Sequence, residues 1–239
     1  MADAFHTTRW SVVIAAGQED SSLALETLCQ TYWFPIYAYI RHRVAQKHDA
    51  QDMTQAFFED LLSRQTLAHA DPDRGRFRAY LLTACKRFLA NQRDRDNAQK
   101  RGGNLKHLSL DFALADSRYS DTPQDGLTSE ILFEQQWAIA LIDNVLATLR
   151  QQYAERDKLP LLEELKPCLT GQSSSSYAEI ASRLHMSETA IKVEAHRLKI
   201  RYRESIRSEI GHTVDSAEEV EDEIRRLFEV LSQKRQNPV

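Results

Sequence analysis

Apolar residues recur at steps of three and four along most of this chain, and that spacing predicts helices almost throughout. Residues 21–47 carry Leu25, Leu28, Tyr32, Ile36, Tyr39 and Ile40 at helical intervals, with Pro35 expected to kink or split the helix. Asp49 reads as the N-cap of a helix over 50–65 whose apolar side holds Met53, Phe57, Phe58, Leu61 and Leu62. A longer helix follows from about Phe77 to Ala98, apolar in its first half and almost wholly polar in its second. The pattern then breaks. Residues 102–130 are dense in Gly, Asp, Ser and Pro and read as a linker between two domains, within which LSLDF (108–112) could dock on a neighbouring surface. Helical spacing resumes near Ser129 and defines a face of Leu132, Phe133, Trp137, Ala140, Leu141, Val145 and Leu149. A shorter helix over 160–169 and a GQSSSS connector (171–176) precede a pair of helices over 177–210. Ser216 and Glu219 have the spacing of a capping box opening an amphipathic terminal helix over 216–232.

The pair of helices has the proportions of a helix-turn-helix. Tyr177 to Leu184 buries Ile180, Ala181 and Leu184, and Ala181 is small where two helices must cross closely. His185, Met186 and Ser187 make the turn, with Ser187 as the next N-cap. His185 stands where such turns usually carry Gly, so it is expected to adopt a positive φ. Ile191, Ala195 and Leu198 face inward on the second helix, which leaves Lys192, His196, Arg197 and Lys199 outward for a major groove. Glu194 among these bases either reads a cytosine amino group or pairs with Arg197 or Lys199; pairing is the favoured reading.

Composition changes this picture little, but charge changes it considerably. The 239 residues carry a net charge of −4, with 42% hydrophobic residues and only 7 Gly and 6 Pro, which disfavours a sandwich or barrel of many short strands. The charge is segregated. Residues 74–106 hold ten bases against two acids, residues 183–207 seven against three, and residues 215–229 seven acids against two bases. Two basic segments in an acidic chain point to two contacts with a polyanion. In the first segment Phe77, Tyr80 and Phe88 interleave with the bases, a combination suited to unstacked nucleic acid. The same aromatics also fit a helix core, and Leu81 and Phe88 read as core. Three widely spaced cysteines, Cys29, Cys85 and Cys168, form no zinc-binding pattern and suggest free thiols in a reducing compartment. No apolar run of 18 residues and no signal-peptide core is present, so the expectation is a cytoplasmic protein that does not engage a membrane.

Four blocks, in this order, resemble bacterial RNA polymerase sigma factors of the extracytoplasmic-function (ECF) type within the sigma-70 family. LETLCQTYWFPIYAYI (25–40) resembles region 2.1 and DAQDMTQAFFEDLL (49–62) resembles region 2.2. RGRFRAYLLTACKRFLANQRDR (74–95) resembles regions 2.3 and 2.4, and SYAEIASRLHMSETAIKVEAHRLKIRYRE (176–204) resembles region 4.2. The resemblance implies an all-α protein: region 2 over 1–101, a linker over 102–130, region 4 over 131–212, and an acidic helical extension over 213–239. It implies no catalysis and no cofactor. It implies that Asp52, Gln55 and Phe58 dock on the β′ clamp helices of core RNA polymerase, whose β subunit is a further contact.

On the same resemblance, the Asp71–Arg76 loop with Phe77, Arg78, Tyr80, Lys86, Arg87 and Asn91 would open and hold the −10 element of promoter DNA, Tyr80 standing where the family usually has tryptophan. Lys192, His196, Arg197 and Lys199 would read the −35 element. The expected free form is a monomer, and an anti-sigma factor is left open as a partner. The acidic extension is expected either to mask the basic residues of region 4 or, as the blander reading, to cap region 4 from behind. The competing assignment is a polymerase-independent helix-turn-helix regulator with an N-terminal sensing or dimerisation domain. A helical enzyme built on Asp52, Glu59 and Asp60 or on His42 and His48 has no second cluster to support it.

Overall fold

The computed structural model describes residues 22–63, 76–96, 111–120, 126–171, 175–211, 214 and 217–232. Among these residues every regular element is a helix: α1 (Ser22–Arg43), α2 (Lys47–Ser63), α3 (Phe77–Asp96), α4 (Phe112–Ser120), α5 (Ser129–Ala154), α6 (Leu159–Leu165), a 3₁₀ turn (Lys166–Leu169), α7 (Tyr177–Arg183), α8 (Glu188–Gly211) and α9 (Ala217–Ser232). The chain divides into two units. Among the described residues, the first holds those before Leu141 together with those from Ile210 onward; the second is Leu141–Glu209. No helix of the described residues is long and apolar enough to cross a membrane.

In the first unit α1 is the central element. Every residue from Phe34 to Ile40 is buried, so this stretch is enclosed all round rather than on one stripe. That enclosure explains why Pro35 neither splits nor ends the helix, which runs unbroken to Arg43. Packing on all sides outweighs the one backbone hydrogen bond that proline removes. α2 begins at Lys47, two residues before the expected cap, so Asp49 lies in its first turn where a carboxylate favours the positive helix end. Phe57, Phe58 and Leu61 of α2 and Phe77, Leu81, Cys85, Phe88 and Leu89 of α3 complete the core. The rings of Phe57 and Phe88 meet edge to face at 5.6 Å, and those of Tyr32 and Phe77 at 5.5 Å.

The stretch expected to be a linker contains α4, and α4 is docked. Phe112 meets Trp33 and Tyr37 edge to face, and Tyr119 is buried against Tyr37 under the Arg41 guanidinium. Turn-forming composition on both sides of α4 concealed this helix in the sequence. Asp116 ties it in place. Its carboxylate accepts hydrogen bonds from the Tyr37 hydroxyl and, at 2.8 Å, from Gln51 Nε2, and it pairs with Lys47 Nζ at 2.5 Å.

Burial alone would raise the Asp116 pKa, but the donors Lys47, Tyr37 and Gln51 outweigh it and hold the carboxyl below its usual range. A carboxyl depressed in the folded state adds stability above its unfolded value of about 4, and that stability is lost as pH falls through the folded value. Asp116→Asn should therefore destabilise the protein at neutral pH and have a shrinking effect below about pH 4. Urea midpoints across that range test this; a loss that does not change with pH would refute it.

The second unit packs Leu141, Val145, Leu149 and Tyr153 of α5 against Leu161, Leu162 and Leu165 of α6 and the inner residues of α7 and α8. Arg183 at the end of α7 makes a two-pronged contact with Glu164 of α6, at 3.0 and 2.6 Å. Hydrogen bonding from Arg183 holds the Glu164 carboxyl below its usual range.

Candidate nucleic-acid interface

The helix-turn-helix forms as its residues require. The Ser176 side chain accepts from Glu179 N while Glu179 reaches back to Ser176 N at 2.8 Å, a full capping box that starts α7. Ile180 and Ala181 are buried on its inner side. α7 ends where His185 takes φ = 53°, and Met186 N donates back to the Ala181 carbonyl at 3.0 Å. This is a left-handed helix stop with histidine in place of glycine, as expected. Ser187 Oγ accepts from Ala190 N at 3.2 Å and starts α8. Ile191, Ala195 and Leu198 are buried.

The opposite side of α8 is exposed and carries Lys192, His196 and Arg197, while Lys199 is half-buried at its border. Lys192 pairs with Glu188 one turn earlier at 2.7 Å, both side chains about half exposed. Such a surface pair contributes little and yields readily to a phosphate. Glu194 is turned inward and accepts from Arg197 at 3.0 Å, with Lys158 Nζ at 3.7 Å. The pairing reading of Glu194 therefore fits, and it is withdrawn from the surface a base would meet. Val193 shares the exposed side at 43% accessibility. A β-branched residue next to Lys192 and one turn before Arg197, off the Ile191–Ala195–Leu198 stripe, was the available signal for it in the sequence.

α3 separates its candidates. Lys86, Arg87 and Asn91 are exposed, and Tyr80 is half-buried with its ring 6.0 Å from Phe77. Phe77 is core, 3% exposed, because its position points at Tyr32. Arg78 is also buried, at 3% exposure, so here it is covered by its partners rather than open on the DNA-facing surface expected of it. Its guanidinium lies over the Trp137 ring at 4.1 Å, donates to Glu134 Oε2 at 3.0 Å and pairs with Glu223 of α9. Arg76 joins Glu223 from the other side at 2.7 Å. Residues 71–75 of the expected loop and Ser216 of the expected capping box lie outside the described residues.

α9 therefore belongs with the first unit. It lies against the head of α3 and the start of α5, not against the basic residues of α8. Glu223 Oε1 and Oε2 meet Arg78 and Arg76, and Gln135 Nε2 donates to the Val230 carbonyl at 3.0 Å. The signal was present in the sequence: Glu223 lies on the apolar stripe of α9 with Val220, Ile224 and Leu227, an odd place for an unpaired acid.

On α2, Asp52 is exposed and Gln55 is half-buried, donating to Glu59 at 3.2 Å. Phe58 is 1% exposed and packs on Phe57, so it lies under the docking face expected of it rather than on it. No group of three or more His, Cys, Asp or Glu among the described residues could hold a metal ion.

An all-helical chain in which one unit bears an exposed basic helix-turn-helix and the other a basic, aromatic-backed helix is a DNA-binding transcription protein by class. A family model for the ECF sigma factor matches residues 8–212, and the chain belongs to that family. It is thus a sigma factor of transcription initiation, with core RNA polymerase and promoter DNA as the partners that membership implies. α9 lies beyond the matched segment. Searches of curated proteins and of solved structures returned no match.

Proposed function

We propose that this chain is the promoter-specificity subunit of a bacterial RNA polymerase, with its two units assigned to the two promoter elements. The observation that carries the reading is the exposed face of α8, in a chain of this family that also carries a second basic surface on α3. Lys192, His196, Arg197 and Lys199 read the −35 element as duplex, with Val193 placed to meet a thymine methyl group. Lys86, Arg87 and Asn91, with Tyr80 as stacking surface, hold the opened −10 strand. Captured bases and phosphate contacts offset an unstacking cost of a few kcal/mol per base, so no nucleotide hydrolysis is needed. Asp52 and Gln55 on α2 engage the clamp helices of the polymerase β′ subunit, with Phe58 holding that face rigid from beneath.

Run-off transcription of genomic DNA by core polymerase, with and without the protein, tests this. Defined new starts that share two upstream elements are the expected result. No new starts, with the protein still binding duplex DNA alone, would replace this reading with that of an independent regulator. In equilibrium binding of the polymerase complex to promoter duplex across a salt series, His196→Ala should weaken the preferred upstream element by about 1–3 kcal/mol, while Lys192→Ala, removing a contact to the phosphates of that element, weakens all sequences alike and lowers the salt slope by about 1.

A further inference from the structure

We propose that α9 is an intramolecular competitor of DNA: its Glu223 carboxylate occupies the Arg76–Arg78 guanidinium pair as a stand-in for a backbone phosphate of the −10 strand. The proposal rests on the −10 assignment of α3 and adds a regulator to that surface.

Three observations converge. First, Glu223 is fully buried although it is an acid on an exposed, acidic helix, and its partners are the two arginines at the head of α3. Arginine forks suit carboxylate and phosphate alike, so the site that holds one can hold the other. Secondly, the competition extends along α3. A groove of about 660 Å³ runs between α3, the start of α5 and α9, with Lys86 of α3, Glu130 and Glu134 of α5, and Asp222, Arg225, Arg226 and Glu229 of α9 among its lining residues. Lys86 itself is held at 2.9 Å by Glu130 of α5. Carboxylates thus already hold Arg76, Arg78 and Lys86, three of the bases on the side of α3 that a DNA strand would follow. Thirdly, α9 lies outside the segment the family shares, so the family's own fold does not require it.

Arg76 keeps 26% of its side chain exposed, so an incoming phosphate can reach it before Glu223 leaves. Displacement can then proceed stepwise, one guanidinium at a time. Besides Glu223, the contacts that hold α9 include Gln135 to Val230 and a 3.9 Å approach of Arg226 to Glu134.

Full-length protein suffices for the test. The probe is a fluorescein-labelled 20-nucleotide single-stranded DNA of mixed sequence, with its duplex as comparison, read by anisotropy at fixed salt. Glu223→Gln should raise single-strand affinity about tenfold, the size of one charge-assisted contact. Asp222→Asn removes the same charge from the surface of α9 and should change affinity less than twofold. Arg76→Gln in the Glu223→Gln background should abolish the gain. Equal gains from Glu223→Gln and Asp222→Asn would overturn the proposal in favour of a general charge effect.

A second measurement needs no variant. Hydrogen exchange over 217–232 of the natural chain should speed up when the single strand saturates it. If the strand binds and α9 exchange is unchanged or slower, the competition is refuted while the −10 assignment stands. If neither the natural chain nor Glu223→Gln binds the single strand, the −10 assignment falls and the proposal falls with it.

Discussion

Replacing Arg78 by leucine is expected to destabilise the first unit by about 3–5 kcal/mol, the usual cost of removing one partner from a buried ion pair. Arg78 is 3% exposed and Glu223 fully buried, so the carboxylate left behind has only Arg76 and cannot turn to water without undocking α9. Glu134 is less affected because its side chain is 15% exposed. The stack on Trp137 at 4.1 Å is lost as well. The double change Arg78→Leu with Glu223→Leu should recover a large part of the loss, because an apolar pair is often as stable as the buried ion pair it replaces. A coupling energy of about 2 kcal/mol or more between the two sites is the expected signature of a true pair. Trp33 and Trp137 lie in the first unit and Leu141–Glu209 contains no tryptophan, so urea unfolding followed by tryptophan fluorescence reports on the first unit. Additive losses, or a single loss below about 0.5 kcal/mol, would mean that the pair contributes no more than a surface contact.

How the sequence anticipated this structure depends on how local each cause is. The helix-turn-helix is written in short-range terms: the spacing of Ile180, Ala181, Ile191, Ala195 and Leu198, a cap at Ser187, and a residue at 185 that tolerates positive φ. All of these are legible in the sequence alone, and so is the pairing of Glu194. The docking of α4 is not. Asp116 is 79 positions from Tyr37 and 65 from Gln51, and no local pattern announces a bond across that distance. The same limit applied to α9. Its amphipathic stripe was plain, but charge complementarity alone offered two basic segments, 74–106 and 183–207, and the choice between them depended on where one buried carboxylate fits. Residue types also carried two meanings at Phe58, Phe77 and Arg78. Family spacing and core periodicity both selected them, and burial decided for the core.

Asp52→Ala and Phe58→Ala should fail in opposite ways. Asp52 is exposed on α2, so its removal should change stability by no more than about 0.5 kcal/mol. If α2 is the polymerase-docking helix, the same change should weaken binding to core polymerase by about 2 kcal/mol, roughly thirtyfold, as loss of a central contact does. Phe58 is 1% exposed and stacks edge to face on Phe57 at 5.4 Å. Its truncation opens a cavity in the α1–α2 core and should cost about 3–5 kcal/mol of stability. Any polymerase defect in that variant would then follow unfolding rather than lost contact, and Phe58→Leu, which refills most of the space, should restore both properties together. Thermal melts paired with equilibrium binding to core polymerase separate the two cases. A fully folded Phe58→Ala that has lost polymerase binding would show that the ring turns outward in the complex. An Asp52→Ala that binds normally would move the docking surface off this face of α2. The contrast follows from geometry: residues 52 and 58 are six positions apart, about 120° around the helix, so Phe58 points into the core while Asp52 faces outward.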